Sequence, residues 1–193
     1  GNNAFKKGSK TMKIELKSFK HAEFASHETH CYEATVYVDG KRAFYASNDG
    51  HGGADFYEPL HSIRKDPKEA RSEFDVVMAK IEAHCATLPK WRSKFAIEDN
   101  MDVDIEILIG DIINKKLTAK ELKKSLKNKV LLVTKDGIYQ TAYGQKKPAD
   151  QNLIDMVREE NPDALVLNSL AFDEALQIYT DWDLETYEKE NKS

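Results

Sequence analysis

Two runs rich in β-branched and aromatic residues, "CYEATVYV" (31–38) and "KRAFYAS" (41–47), are separated only by Asp39–Gly40. Asp-Gly accepts the left-handed backbone that a two-residue antiparallel turn demands, so the stretch reads as a β-hairpin. This constrains the fold early. Strands joined this way are antiparallel neighbours, whereas parallel strands need a long crossover between them. A further strand is expected at "KIELKSF" (13–19), where Ile14 and Leu16 fall on one side. A second hairpin signal, Lys135–Asp136–Gly137, lies between "KVLLVT" (129–134) and "GIYQTAY" (137–143).

Helix signals lie between the hairpins. In "DPKEARSEFDVVMAKIEAHC", Asp66 suits a cap, Pro67 the first helical position and Glu69 a capping box. Phe74, Val77, Met78, Ile81 and Cys85 then recur at spacings of three and four, an apolar stripe able to cover the hairpin sheet. "NMDVDIEILIGDIINKK" (100–116) fits both a strand pattern and a helical stripe, and helix is favoured because the apolar run continues through Leu108. Thr118 and Glu121 suggest a fresh capping box for a separate helix in "AKELKKSLKN". Helix is expected again at 152–161 and 171–179, with a strand at 164–169. The element order makes the fold class α+β: an antiparallel hairpin sheet covered by a helix, then a helix-rich region with a second hairpin and a further strand.

At 193 residues, 40% apolar and 32% charged, the chain can bury a core. Lobes over 12–95 and 96–184 are expected, either separate or fused into one domain, with 1–11 and 185–193 flexible. Met12 reads as a natural start. The two cysteines, Cys31 and Cys85, do not form an extracellular disulfide framework, which favours a reducing, cytoplasmic location. No apolar run is long enough for a membrane helix, and no membrane partner is expected.

The least ordinary segment is "SNDGHGGADFY" (47–57). Its glycines permit tight or left-handed backbone and can bare consecutive N–H groups, a surface able to cradle an anion. Asn48, Asp49, His51, Asp55 and Tyr57 are the candidate binding residues. The spacing matches neither a phosphate loop nor a dinucleotide fingerprint nor a calcium loop. A plain structural turn, with Asp49 satisfying local amides, competes with the binding reading, and a catalytic one trails both.

Five of six histidines, His21, His27, His30, His51 and His61, lie in the first third of the chain. If the hairpin brings 27–31 near the glycine loop, with residues 31 and 47 roughly opposite, His27, His30, Asp49 and His51 could hold a transition metal such as zinc. Polar loop histidines are the default against this, and no cofactor is otherwise expected. His84 and Cys85 are adjacent on one helix and point apart, so they form no catalytic pair. No serine lies in a nucleophile elbow.

Over residues 36–57, "VYVDGKRAFYASNDGHGGADFY", the strand, the Asn-Asp-Gly entry and the double glycine resemble a group of uncharacterised small proteins encoded by tailed bacteriophages. The resemblance implies a phage or prophage setting, hence a host-cell cytoplasm, and a host-directed accessory role. It implies no activity.

Charge is segregated along the chain. Six acids and no basic residue occupy 98–111; ten lysines meet two acids over 115–147; twelve acids meet two basic residues over 150–190. The net charge of −4 argues against general attraction to nucleic acid. Locally, Lys120, Lys123, Lys124, Lys127 and Lys129 could contact phosphates, with Tyr139 or Tyr143 stacking on bases. Three functions remain: a non-enzymatic binding protein using the glycine loop and an acidic surface to engage a protein partner, which leads; a metal-dependent hydrolase; and a nucleic-acid-binding protein. A homodimer is compatible with all three.

Overall fold

The computed structural model describes residues 11–91, 101–141 and 148–191, with side chains in the last helix described through Trp182. Tyr143 and the connector after Trp91 lie outside the described residues. The architecture is α+β. The chain divides into two compact units, and the division falls between Ile112 and Ile113.

The first unit is built on a four-stranded antiparallel meander, β1 (Ile14–His21), β2 (Cys31–Val38), β3 (Lys41–Asp49) and β4 (Phe56–Pro59), in that spatial order. Asp39 and Gly40 both take positive φ, 49° and 81°, as a tight hairpin turn requires. A register shift between Val36 and Tyr37 carries an extra residue, so Cys31 pairs with Asp49 and Ser47 with Glu33. The expectation that 31 faces 47 is corrected by two positions, only one of which comes from the extra residue, because the turn alone, pairing Val38 with Lys41, would set Cys31 against Asn48. One face of the sheet buries Leu16, Ala34, Val36, Phe44 and Ala46.

Helix α1 (Pro67–Thr87) covers that face, and Asp66 caps it by accepting from the Lys68 amide. Phe74, Ile81 and Cys85 are buried, and the Phe74 ring meets Phe44 edge-on at 5.8 Å. Helix α2 (Ile105–Asn128) opens under Asp104, whose carboxylate accepts from the Ile107 amide. It runs unbroken through Thr118, so the separate helix expected there does not exist. No proline interrupts this run, its last twelve residues are mostly strong helix formers, and a capping motif permits a start without imposing one.

In the second unit β5 (Leu131–Thr134) lies between β6 (Gly137–Gln140) and β7 (Leu165–Val166), all antiparallel. Alternation along β5 feeds two cores. Leu132 packs with Val130, Val166 and with Ile154 and Val157 of α3 (Gln151–Glu160). Leu131 packs with Leu122 of α2, Leu167 and Ala175 of α4 (Phe172–Asn191). The strand expected over 164–169 shortens to β7 and turns into a 3-10 helix at Leu167–Ser169. There Asn168 accepts from the Leu131 amide and donates to the carbonyls of Leu126 and Lys129, tying the end of α2 to β5. Among the described residues no helix is long and apolar enough to cross a membrane.

Candidate functional site

The glycine segment is the connection between β3 and β4, and Asn48 organises it. This side chain points to the covered face opposite Tyr32, only 8% exposed. Its Oδ1 accepts from Thr29 Oγ1 at 2.8 Å and from the Gly50 amide at 2.9 Å. Its Nδ2 donates to the Gly53 carbonyl and to Asp55 Oδ1, each at 3.0 Å. One buried amide thus spans the turn from both ends, which accounts for its polarity at a core position.

The β1–β2 connection supplies the other half of the frame. The Gly50 carbonyl accepts from three successive amides, those of His27, Glu28 and Thr29. Gly50 itself sits at φ +87°, where a Cβ would overlap the carbonyl oxygen of Ala25, so glycine is required by both backbone and space. Asp49 closes the turn locally, its Oδ1 accepting from the His51 amide.

Beyond the turn, Asp55 Oδ2 accepts from the Tyr57 hydroxyl at 2.9 Å, while the Asp55 amide donates to Glu106 Oε1 at 3.0 Å. The Tyr32 hydroxyl is buried and meets no partner at hydrogen-bond geometry. Burial, followed by the charge of Asp55, pushes the pKa values of both Tyr32 and Tyr57 well above the usual 10.0. Both phenols therefore stay protonated, and that of Tyr57 acts as a donor; neither can serve as a base or nucleophile at neutral pH.

The four metal candidates divide. His27 and His51 stack with ring centroids 5.6 Å apart and planes within 15°. His30 turns instead to His21, with Nδ1 and Nε2 3.1 Å apart, and Ser26 Oγ lies 3.4 Å from the same His21 nitrogen. Among the described residues no three His, Cys, Asp or Glu side chains are grouped to hold a metal ion. His61 stacks on Tyr45. Both cysteines are free thiols, and burial followed by the charge of Asp104 raises the pKa of Cys85.

Of the loop candidates, Asn48, Asp55 and Tyr57 form the interior of the frame, whereas Asp49 and His51 lie on its outside. Around them the outer surface carries His27, Glu28, Gly52, Gly53 and Ala54, with Phe24 89% and Phe56 60% exposed at the same end of the sheet. The sequence reading missed Thr29, Tyr32 and Glu106. Tyr32 meets Asn48 only through the extra residue between Val36 and Tyr37, since an unshifted hairpin would set it against Ser47. In the second unit Lys120, Lys123, Lys124 and Lys127 are exposed on α2, with Lys129 half-buried just past its end.

Comparison with known proteins returned no match: no family model, curated protein or solved structure is similar to the chain. The functional reading accordingly rests on the arrangement of these side chains.

Proposed function

We propose that this is a non-enzymatic binding protein that engages a protein partner through the β1–β2 and β3–β4 connections at one end of its first sheet. The observation that carries the reading is the division of labour around Asn48. Buried hydrogen bonds fix the backbone of both connections, while the residues outside that frame face solvent. A surface held rigid before binding loses little conformational entropy on association. Exposed Phe24 and Phe56 supply the aromatic anchors typical of interface hot spots.

The acidic run of the second unit favours a basic partner. Asp155, Glu159, Glu160, Asp163, Asp173, Glu174 and Asp181 are all exposed, a distribution that speeds encounter with positive surfaces. In the bacteriophage setting that residues 36–57 resemble, such a protein would act on a component of the host cytoplasm.

Affinity capture from bacterial lysate tests this with one double variant. Phe24→Ser/His51→Ala should lose the partner that the wild-type chain retains, with an unchanged melting temperature, because neither side chain belongs to the buried frame. Equal capture by wild type and double variant would overturn the assignment of the surface.

A further inference from the structure

The second unit contains a cleft that the loop reading leaves unused. A concavity of about 690 Å³ opens beside the edge strand β6, lined by Ser125, Lys129, Tyr139, Gln140, Tyr179 and Trp182. Its size falls in the range of roughly 300–1,000 Å³ that accommodates small organic groups. Three aromatic residues converge on it. Tyr139 is 53% exposed, although strand aromatics ordinarily pack against a neighbour. Trp182 and Tyr139 both approach the site of the absent Gly137 side chain to 3.7 Å.

Helix geometry joins this cleft to a basic surface. At 3.6 residues per turn, Glu121 and Ser125 share the stripe of α2 that lines the cleft, and Leu122 and Leu126 lie on its core side. Lys124, Lys120 and Lys127 fan out on the opposite side, roughly 60–120° around the axis from Glu121. Between Lys115 and Lys129 there are seven lysines and one acid. Asn168 holds Lys129 at the mouth by accepting from the next strand and donating to the Lys129 carbonyl.

We infer that this cleft binds single-stranded nucleic acid, stacking a base against Tyr139 and Trp182 while the phosphates follow the lysine face of α2. Aromatic faces beside a line of positive charge are the two elements that sequence-tolerant single-strand binding requires. A duplex seals its base faces and would leave the aromatics idle. An acidic peptide would meet the lysines and have no use for the rings. The two acids in the wall, Glu121 and Asp136, can only accept hydrogen bonds, which favours bases with an exocyclic amine, cytosine, adenine or guanine, over uracil or thymine.

The test is fluorescence anisotropy of the full chain with labelled oligocytidylate, oligouridylate, a duplex of matched length and polyglutamate. Oligocytidylate should bind best, with an affinity that falls steeply as salt rises. Tyr139→Ala should weaken it about tenfold or more, as loss of one stacked base predicts. Lys124→Gln/Lys127→Gln should weaken it and flatten the log–log salt slope by about 0.7 for each lysine removed. Glu121→Gln/Asp136→Asn should narrow the preference for cytosine over uracil. All these side chains are exposed, so thermal melts of the variants should match wild type. No binding at low salt would overturn the inference. So would equal binding of duplex or polyglutamate, or indifference to Tyr139→Ala.

Discussion

Thr29 and Asn48 are joined by a 2.8 Å hydrogen bond between side chains that approach from the β1–β2 connection and the end of β3, and Thr29 Oγ1 also accepts from the Gly52 amide. Removing the Asn48 amide strands the partners it satisfies in a buried setting. Asn48→Ala should therefore cost about 2–4 kcal/mol, and Thr29→Val about 1 kcal/mol. Urea titration of both single variants and the double variant measures this; a strongly non-additive cycle is expected, because the two side chains share one network.

Gly50 and Gly53 provide a contrast within one loop. Alanine at Gly50 must take a left-handed backbone and displace the Ala25 carbonyl, and a loss of about 2–4 kcal/mol is expected. A Cβ at Gly53 meets nothing within 4 Å. Gly53→Ala should stay within about 0.5 kcal/mol of wild type. Comparable losses at both positions would show that the turn is less fixed than its hydrogen bonds imply.

Alkaline stability follows from the two shielded phenols. Their folded pKa values lie above the unfolded 10.0, so the unfolded chain releases protons that the folded chain retains. Their contribution is fully present below pH 10 and declines as pH rises above it, by about 1.4 kcal/mol per pH unit for a fully shielded tyrosine. Tyr32→Phe removes one such group together with an unpartnered buried hydroxyl. It should gain about 1 kcal/mol at neutral pH and show a shallower alkaline decline in urea melts.

The two thiols should separate under alkylation. Cys31 is half-buried at the start of β2, whereas Cys85 is buried on the core face of α1 with its pKa pushed up. Iodoacetamide on the native chain, followed by peptide mapping, should label Cys31 first; both should react alike once the chain is denatured.

The features legible in the sequence are local ones. Asp39–Gly40 and the Asp66–Pro67 helix start each act through neighbouring backbone, and both hold. The helical stripe from Phe74 to Cys85 was readable because it spans several turns. Strand β4 was not, since four residues ending in Pro59 show too little alternation to register. The shift between Val36 and Tyr37 leaves no mark in composition, yet it decides that Asp49 and not Asn48 faces Cys31. Glu106 reaches Asp55 across 51 residues, a meeting that only the folded chain reveals.

Three consecutive amides converging on the Gly50 carbonyl have an evolutionary consequence. The contour of this end of the molecule is held by main-chain atoms together with Asn48, Thr29 and Asp55, and by Gly52 at φ +90°, so the outward letters at 51, 53 and 54 are largely decoupled from folding. Those three positions can change in evolution without rebuilding the turn, much as an exchangeable bit is replaced without rebuilding the drill.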